Sequence, residues 1–244
     1  MGPFLKKLQE EEARTDCIPR NTSEIRQEPD GTAIFEAALW RKADKQFKTE
    51  TEIYDRLQDL QGVMIPRLYA VIHLVAAGAD DMPFKEDYIG IYVILLEAIP
   101  GYTLWDLPVT TYTPVTEQEW TSIVQRAVDS THEINKPGII LDDSAPRNII
   151  IDKSTYRPFL IDSSPCWFRD TMSDLPSEAQ EEGWDTDAEF CEIAREHDNT
   201  GAIGRPMMRR LRSKFGFNLD ITYPDSDDLL HEIKSQAPGE RRGL

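Results

Sequence analysis

The sequence predicts an α+β fold, with strands and one helix in its first half and helices dominating the second. Three observations carry this. The stretch FKTETEIYDRLQDL, free of Gly and Pro, sets Phe47, Ile53, Tyr54, Leu57 and Leu60 at helical spacing. Two clusters rich in β-branched and apolar residues, GVMIPRLYAVIHLVA and YIGIYVILLEAIPG, are bounded by Gly, Pro and Asp and read as strands. A capping box, Thr116 with Glu119, opens a segment in which Trp120, Ile123, Val124, Ala127 and Val128 share one face.

Taken in order, residues 1–31 are polar and charged and end in QEPDG, a loosely attached arm. TAIFEAALW then begins a continuous apolar run whose lack of period leaves a buried strand and a helix start equally open. GADDMPFKED, between the two strand clusters, suits a hairpin turn, and PGYTLWDLPVTTYTPV is a Pro- and Thr-rich connection. The capped helix ends at NKPG. After it come two apolar runs around a polar loop, GIILDDSAPRNIIID, and one more short strand, RPFLID. SEAQEEGWDTDAEFCEIAREHD and the basic RRLRSKFGF read as helical, and the segment from YPDSDDLL onward as weakly ordered. The divisions are thus an arm (1–31), a strand-rich part (32–100), a mainly helical part (101–215) and a tail (216–244), two unlike halves joined near Pro100 to Pro108.

Composition narrows the function. The chain has 244 residues, 40% of them hydrophobic, enough to bury a core of its own. Its 27 Lys and Arg stand against 44 Asp and Glu, a formal charge of -17 that repels nucleic acid and anionic membranes. The most basic stretch, RPMMRRLRSK, fits a solvated helix face better than a nucleic-acid surface. Three scattered cysteines, Cys17, Cys166 and Cys191, give neither a disulfide framework nor a paired zinc pattern. His73, His132, His197 and His231 form no ligand spacing. No signal-peptide core or membrane-length run is present, and Pro3 and Lys6 spoil a myristoylation reading of Gly2. A cytoplasmic or nuclear protein is expected.

The loop between the apolar runs carries the chemistry. Asp143 is followed five positions later by Asn148, then by three isoleucines, and Asp162 closes the next strand. That spacing suits phosphoryl transfer: one carboxylate accepts a hydroxyl proton while an amide and a second carboxylate hold a divalent cation against nucleotide phosphates.

On these residues the sequence resembles the protein kinase-like superfamily, and within it the small divergent kinase-like proteins of fungi, over roughly residues 32 to 215. LDDSAPRNIII resembles the family's catalytic loop, with Asp143 as base and Asn148 as metal-binding amide. FLIDSS resembles its metal-binding aspartate motif, placing Asp162 on Mg2+. Glu50 is similar to the glutamate of the regulatory helix. ILLEAIPGYTL looks like the strand and hinge beside adenine, with Leu96 as gatekeeper and the Glu97 to Ile99 backbone facing the base. DNTGAIG resembles a tail element of the fungal group.

The resemblance implies a reduced two-lobed kinase-like fold, its small N-lobe built of antiparallel strands and one helix and its C-lobe mainly helical. It implies ATP and Mg2+ as cofactors and a protein or a small hydroxylated molecule as acceptor; nothing in it sets an oligomeric state.

Departures from the family pattern bear on activity. No glycine-rich loop precedes the first strand. Glu36, Ala37 and Ala38 stand where a strand lysine should pair with Glu50, and Lys42 and Lys45 lie too close to Glu50 to replace it. Leu141 and Asp142 stand in place of the family's His and Arg, and Ser163 in place of its Gly. Three readings therefore stand: an atypical protein kinase with a degenerate nucleotide-binding lobe, a catalytically dead pseudokinase acting as a protein-binding module, and a small-molecule kinase of the aminoglycoside or choline type.

Overall fold

A computed structural model describes residues 6, 29–75, 90–174, 186–224 and 229. The fold is α+β, with small sheets and well-formed helices. Two compact units divide the chain. One comprises residues 1–51 and 70–95, the other residues 52–69 and 96–244.

In the first unit the apolar run TAIFEAALW is helical. It opens helix α1 (Gly31–Arg56), whose last residues enter the second unit. Two strands, β1 (Leu68–Val75) and β2 (Gly90–Leu96), pair with one another, as their β-branched composition requires. Phe47 stacks on Tyr92 at 4.6 Å between centroids, and His73 on the same tyrosine at 4.3 Å. That stacking accounts for one of the four histidines. Val71, Leu74, Ile91 and Leu95 are exposed along the strand pair. The expected hairpin turn and most of the expected N-terminal arm lie outside the described residues, as does the tail beyond Pro224 apart from Leu229.

The second unit holds the larger core. Helix α2 (Glu117–Asn135) starts as the sequence dictates: the Thr116 side chain accepts from the Glu119 N–H at 3.2 Å, and the Glu119 carboxylate accepts from the Thr116 N–H at 3.0 Å. Trp120, Ile123, Val124, Ala127 and Val128 are all buried, and the Trp120 ring N–H donates to the Pro114 carbonyl at 3.2 Å. Burying side chains of this size is worth about 1.5–3 kcal/mol each for the larger ones.

Against this face pack β4 (Ile139–Leu141), β5 (Ile149–Asp152) and β6 (Pro158–Leu160), joined by Ile203, Met207 and Leu211 of the helix Asn199–Phe215. β5 lies between β3 (Gly101–Thr103) and β6, antiparallel to both, with Tyr102 opposite Ile151 and Ile149 opposite Leu160. β4 pairs antiparallel with β7 (Cys166–Phe168), setting Leu141 opposite Cys166. Helix α3 (Thr186–His197) buries Phe190 and Cys191 in a smaller cluster with Ile140 and Met172. Cys191 is thus a buried apolar residue rather than a reactive thiol. Helix α4 (Asn199–Phe215) packs on α2 and ends at Gly216, whose φ of 78° is the left-handed conformation glycine supplies cheaply.

Candidate functional site

The loop between β4 and β5 is held at both ends by the segment that follows β6. The Asp142 N–H donates to the Pro165 carbonyl at 3.1 Å, and the Ile161 N–H donates to the Asn148 carbonyl at 2.8 Å. Both bonds extend ladders set by the apolar strands, the first beyond the β4–β7 pair and the second beyond β5–β6. Residues 142–148 and 161–165 therefore run alongside one another, and Asp162 sits one residue past the bond to Asn148. Ile139, Ile140, Leu141, Ile149 and Ile151 are buried, so the polar loop is clamped from both sides.

Inside the loop, Asn148 ends a short 3-10 turn, Pro146–Asn148, and is 8% exposed. Its Nδ2 donates to the Asp143 backbone carbonyl at 2.8 Å and lies 3.4 Å from the Asp143 carboxylate. With the nitrogen engaged, Oδ1 is the amide's remaining acceptor face. The Asp143 carboxylate is 50% exposed and takes both oxygens to Arg147, each at 2.5 Å, with Arg147 itself 61% exposed. Asp162 is exposed and adopts φ 57°, a left-handed conformation that strains any residue with a Cβ, least so Asn and Asp. Ser163 after it is buried. Strain of this kind collects where surrounding structure imposes it, commonly at functional sites.

The structure thus brings Asp143 and Asn148 into contact and sets Asp162 on the adjacent segment. Asp142 is half exposed, with one oxygen 3.7 Å from His197 Nδ1. Glu50 is half-buried on α1 and belongs to the first unit. Leu96 ends β2 and packs on the second unit's core. The Glu97 N–H donates to the Arg67 carbonyl at 2.9 Å, and its carboxylate accepts from the Arg67 guanidinium at 2.8 Å and the Arg67 N–H at 3.1 Å. The segment FEAAL, where a strand lysine would stand, is part of the same helix as Glu50.

Two supporting residues were not legible in the sequence as parts of the site. Arg147 is one; its i,i+4 spacing from Asp143 was the only available sign. The other is Asn199, buried at the start of α4. Its Oδ1 accepts from the Leu141 N–H and from the Asn135 amide, both at 2.9 Å, and its Nδ2 donates to the Leu141 carbonyl at 2.7 Å. Its backbone carbonyl accepts from the Ser144 hydroxyl at 2.9 Å. The DNTGAIG element therefore fastens the candidate loop. Within it Asp198 N-caps α4 by accepting from the Gly201 N–H at 3.1 Å and pairs with Arg205.

Among the described residues no three His, Cys, Asp or Glu side chains gather at metal-binding spacing. A cation here would draw on two hard oxygen donors from the protein, the Asn148 amide and the Asp162 carboxylate, a set that suits magnesium completed by phosphate oxygens and water. Among the described residues no helix is long and apolar enough to cross a membrane. No protein-family model matches the chain, and no curated protein matches it.

Proposed function

We propose that the protein is an ATP- and Mg2+-dependent phosphotransferase of the protein kinase-like type, with its reaction centre at the mouth formed by residues 142–148 and 161–165. The observation that carries this reading is the bond from the Ile161 N–H to the Asn148 carbonyl at 2.8 Å, with Asn148 in turn bonded to Asp143 at 2.8 Å. Through these contacts a potential base, an amide oxygen and a strained, exposed aspartate share one edge of the second unit.

In the proposed reaction the Asp143 carboxylate takes the proton of the acceptor hydroxyl as that oxygen attacks phosphorus. Arg147 keeps the carboxylate aligned, and its exposure lets one oxygen turn to the acceptor without breaking a buried contact. Asn148 and Asp162 would hold Mg2+, which when bound offsets the charge that develops on the phosphate oxygens. Glu97 and Ile99 would offer a carbonyl and an N–H to the adenine edge beside Leu96. The acceptor is a protein or small-molecule hydroxyl.

One observation favours a second reading, a pseudokinase that acts as a binding module: residues 35–39 are helical and carry no ammonium to face the phosphates. Losing such a donor costs a few kcal/mol of transition-state stabilisation. Thermal unfolding in Mg-ATP separates the two. Nucleotide at about a hundred times its Kd adds about 2.7 kcal/mol of stability, a rise that Asp162→Ala abolishes. No rise at millimolar Mg-ATP leaves the binding module. Turnover of a hydroxylated metabolite with no protein phosphorylation assigns the small-molecule kinase.

A further inference from the structure

A second concave site lies on the basic side of α4. It is a cleft of about 580 Å³ lined by Trp105, Val109, Pro206, Arg209, Arg210 and Lys214. Three cations and three apolar side chains meet there, and no carboxylate of the described residues lines it. The volume falls within the range of ligand-binding clefts. The floor is apolar and open to solvent, with Val109 61% and Trp105 38% exposed. The Arg210 guanidinium lies 4.1 Å from the centre of the Trp105 ring. Its Nε is buried without a hydrogen-bond partner among the described residues. Among the described residues Arg209 and Lys214 make no ion pair.

We propose that this cleft is a docking site for an acidic peptide segment carrying aliphatic side chains. Carboxylates would meet Arg209, Arg210 and Lys214, while an aliphatic side chain covers Val109, Trp105 and Pro206. Charge complementarity selects the occupant. The chain as a whole carries -17, so a long polyanion is repelled outside the cleft, whereas a short peptide with a few carboxylates meets three local cations within a Debye length. The apolar floor discriminates against a simple phosphate or polyphosphate, which would leave Val109 and Trp105 uncovered. The cleft is tied to the candidate loop: the Trp105 N–H donates to the Pro146 carbonyl at 3.2 Å. The proposal stands apart from phosphoryl transfer, since a binding module would use the same cleft.

The test uses the full chain and a short fluorescein-labelled peptide of alternating Glu and Leu, read by fluorescence anisotropy. Saturable binding is expected, weakened about tenfold or more in the Arg209→Glu, Lys214→Glu double variant and by raising salt from about 0.05 to 0.2 M. A Glu-Ser peptide of equal charge should bind more weakly than the Glu-Leu peptide. Both substituted residues are exposed, and an unchanged melting temperature shows that the variant is folded. Absence of binding, binding indifferent to the double substitution, or equal binding by inorganic polyphosphate would each overturn the assignment.

Discussion

The side-chain amide of Asn199 closes a two-way bridge with the backbone of Leu141, accepting its N–H at 2.9 Å and donating to its carbonyl at 2.7 Å across 58 positions of sequence. Asn199 thus serves the buried strand as an extra strand would, while its Oδ1 also holds Asn135. Each buried group left unsatisfied costs about 1–3 kcal/mol. Asn199→Ala orphans the Leu141 N–H, the Leu141 carbonyl and part of the Asn135 amide together. We expect a stability loss of about 3 kcal/mol or more by urea denaturation. A loss under about 1 kcal/mol would show that the bridge is dispensable.

Gly101 fixes the register that carries Asn148. A Cβ at this position would lie 2.0 Å from the Ile151 carbonyl oxygen, a backbone atom that cannot turn aside. Gly101→Ala must therefore open the β3–β5 pair, in which Gly101 faces Asp152. The expected cost is about 1–3 kcal/mol, with protection of the Leu104 N–H, bonded to the Ile149 carbonyl at 2.7 Å, falling in hydrogen exchange. Unchanged protection at Leu104 would place the strain elsewhere.

Asp152 gives the second unit an acid-sensitive turn. Its Oδ1 accepts from the Ser154 hydroxyl at 2.6 Å, the Thr155 hydroxyl and N–H both at 2.8 Å, and the Ser154 N–H at 3.0 Å. The Ser154 hydroxyl, foremost, and the Thr155 donors hold the Asp152 carboxyl below its ordinary value, against the opposing effect of burial. A depressed folded-state pKa stabilises the protein above the unfolded value, about 3.9, and that contribution drains away as pH falls through the lower folded value. The stability gap between the wild type and Asp152→Asn should be full at neutral pH and shrink below about pH 4. A gap constant down to about pH 2 contradicts the account.

What could be read from the sequence was what is local. The start of α2 follows from Thr116 and Glu119, three positions apart, and its buried face from a 3.6-residue period. The start of α1 was open because TAIFEAALW is mostly apolar and shows no clear period, and length and context decide such runs. β7 and β3, three residues each, have no signature of their own. They are strands because β4 and β5 offer unpaired edges, although GYT had read as connection. Asp143 and Asn148 stood out because polar residues between isoleucine runs need a reason. Asn199 did not, because its partners lie 58 and 64 positions away. The left-handed Asp162 was equally hidden, since positive φ outside glycine comes from tertiary restraint.

The ion pair between Arg147 and Asp143 separates stability from chemistry. Both side chains are at least half exposed, so the pair adds little to folding, and Arg147→Gln should change stability by under about 1 kcal/mol. In the proposed reaction Asp143 moves a proton and Arg147 only aligns it. Asp143→Asn should therefore lower kcat about a hundredfold to ten-thousandfold while leaving the melting-temperature rise in Mg-ATP intact. Arg147→Gln should produce a smaller loss, because the carboxylate keeps its hold on the loop through Asn148. Steady-state kinetics beside thermal shift read both variants. Equal loss in the two would make alignment, rather than proton transfer, the function of the pair, and loss of the Mg-ATP shift in Asp143→Asn would move that aspartate from the base position to the cation.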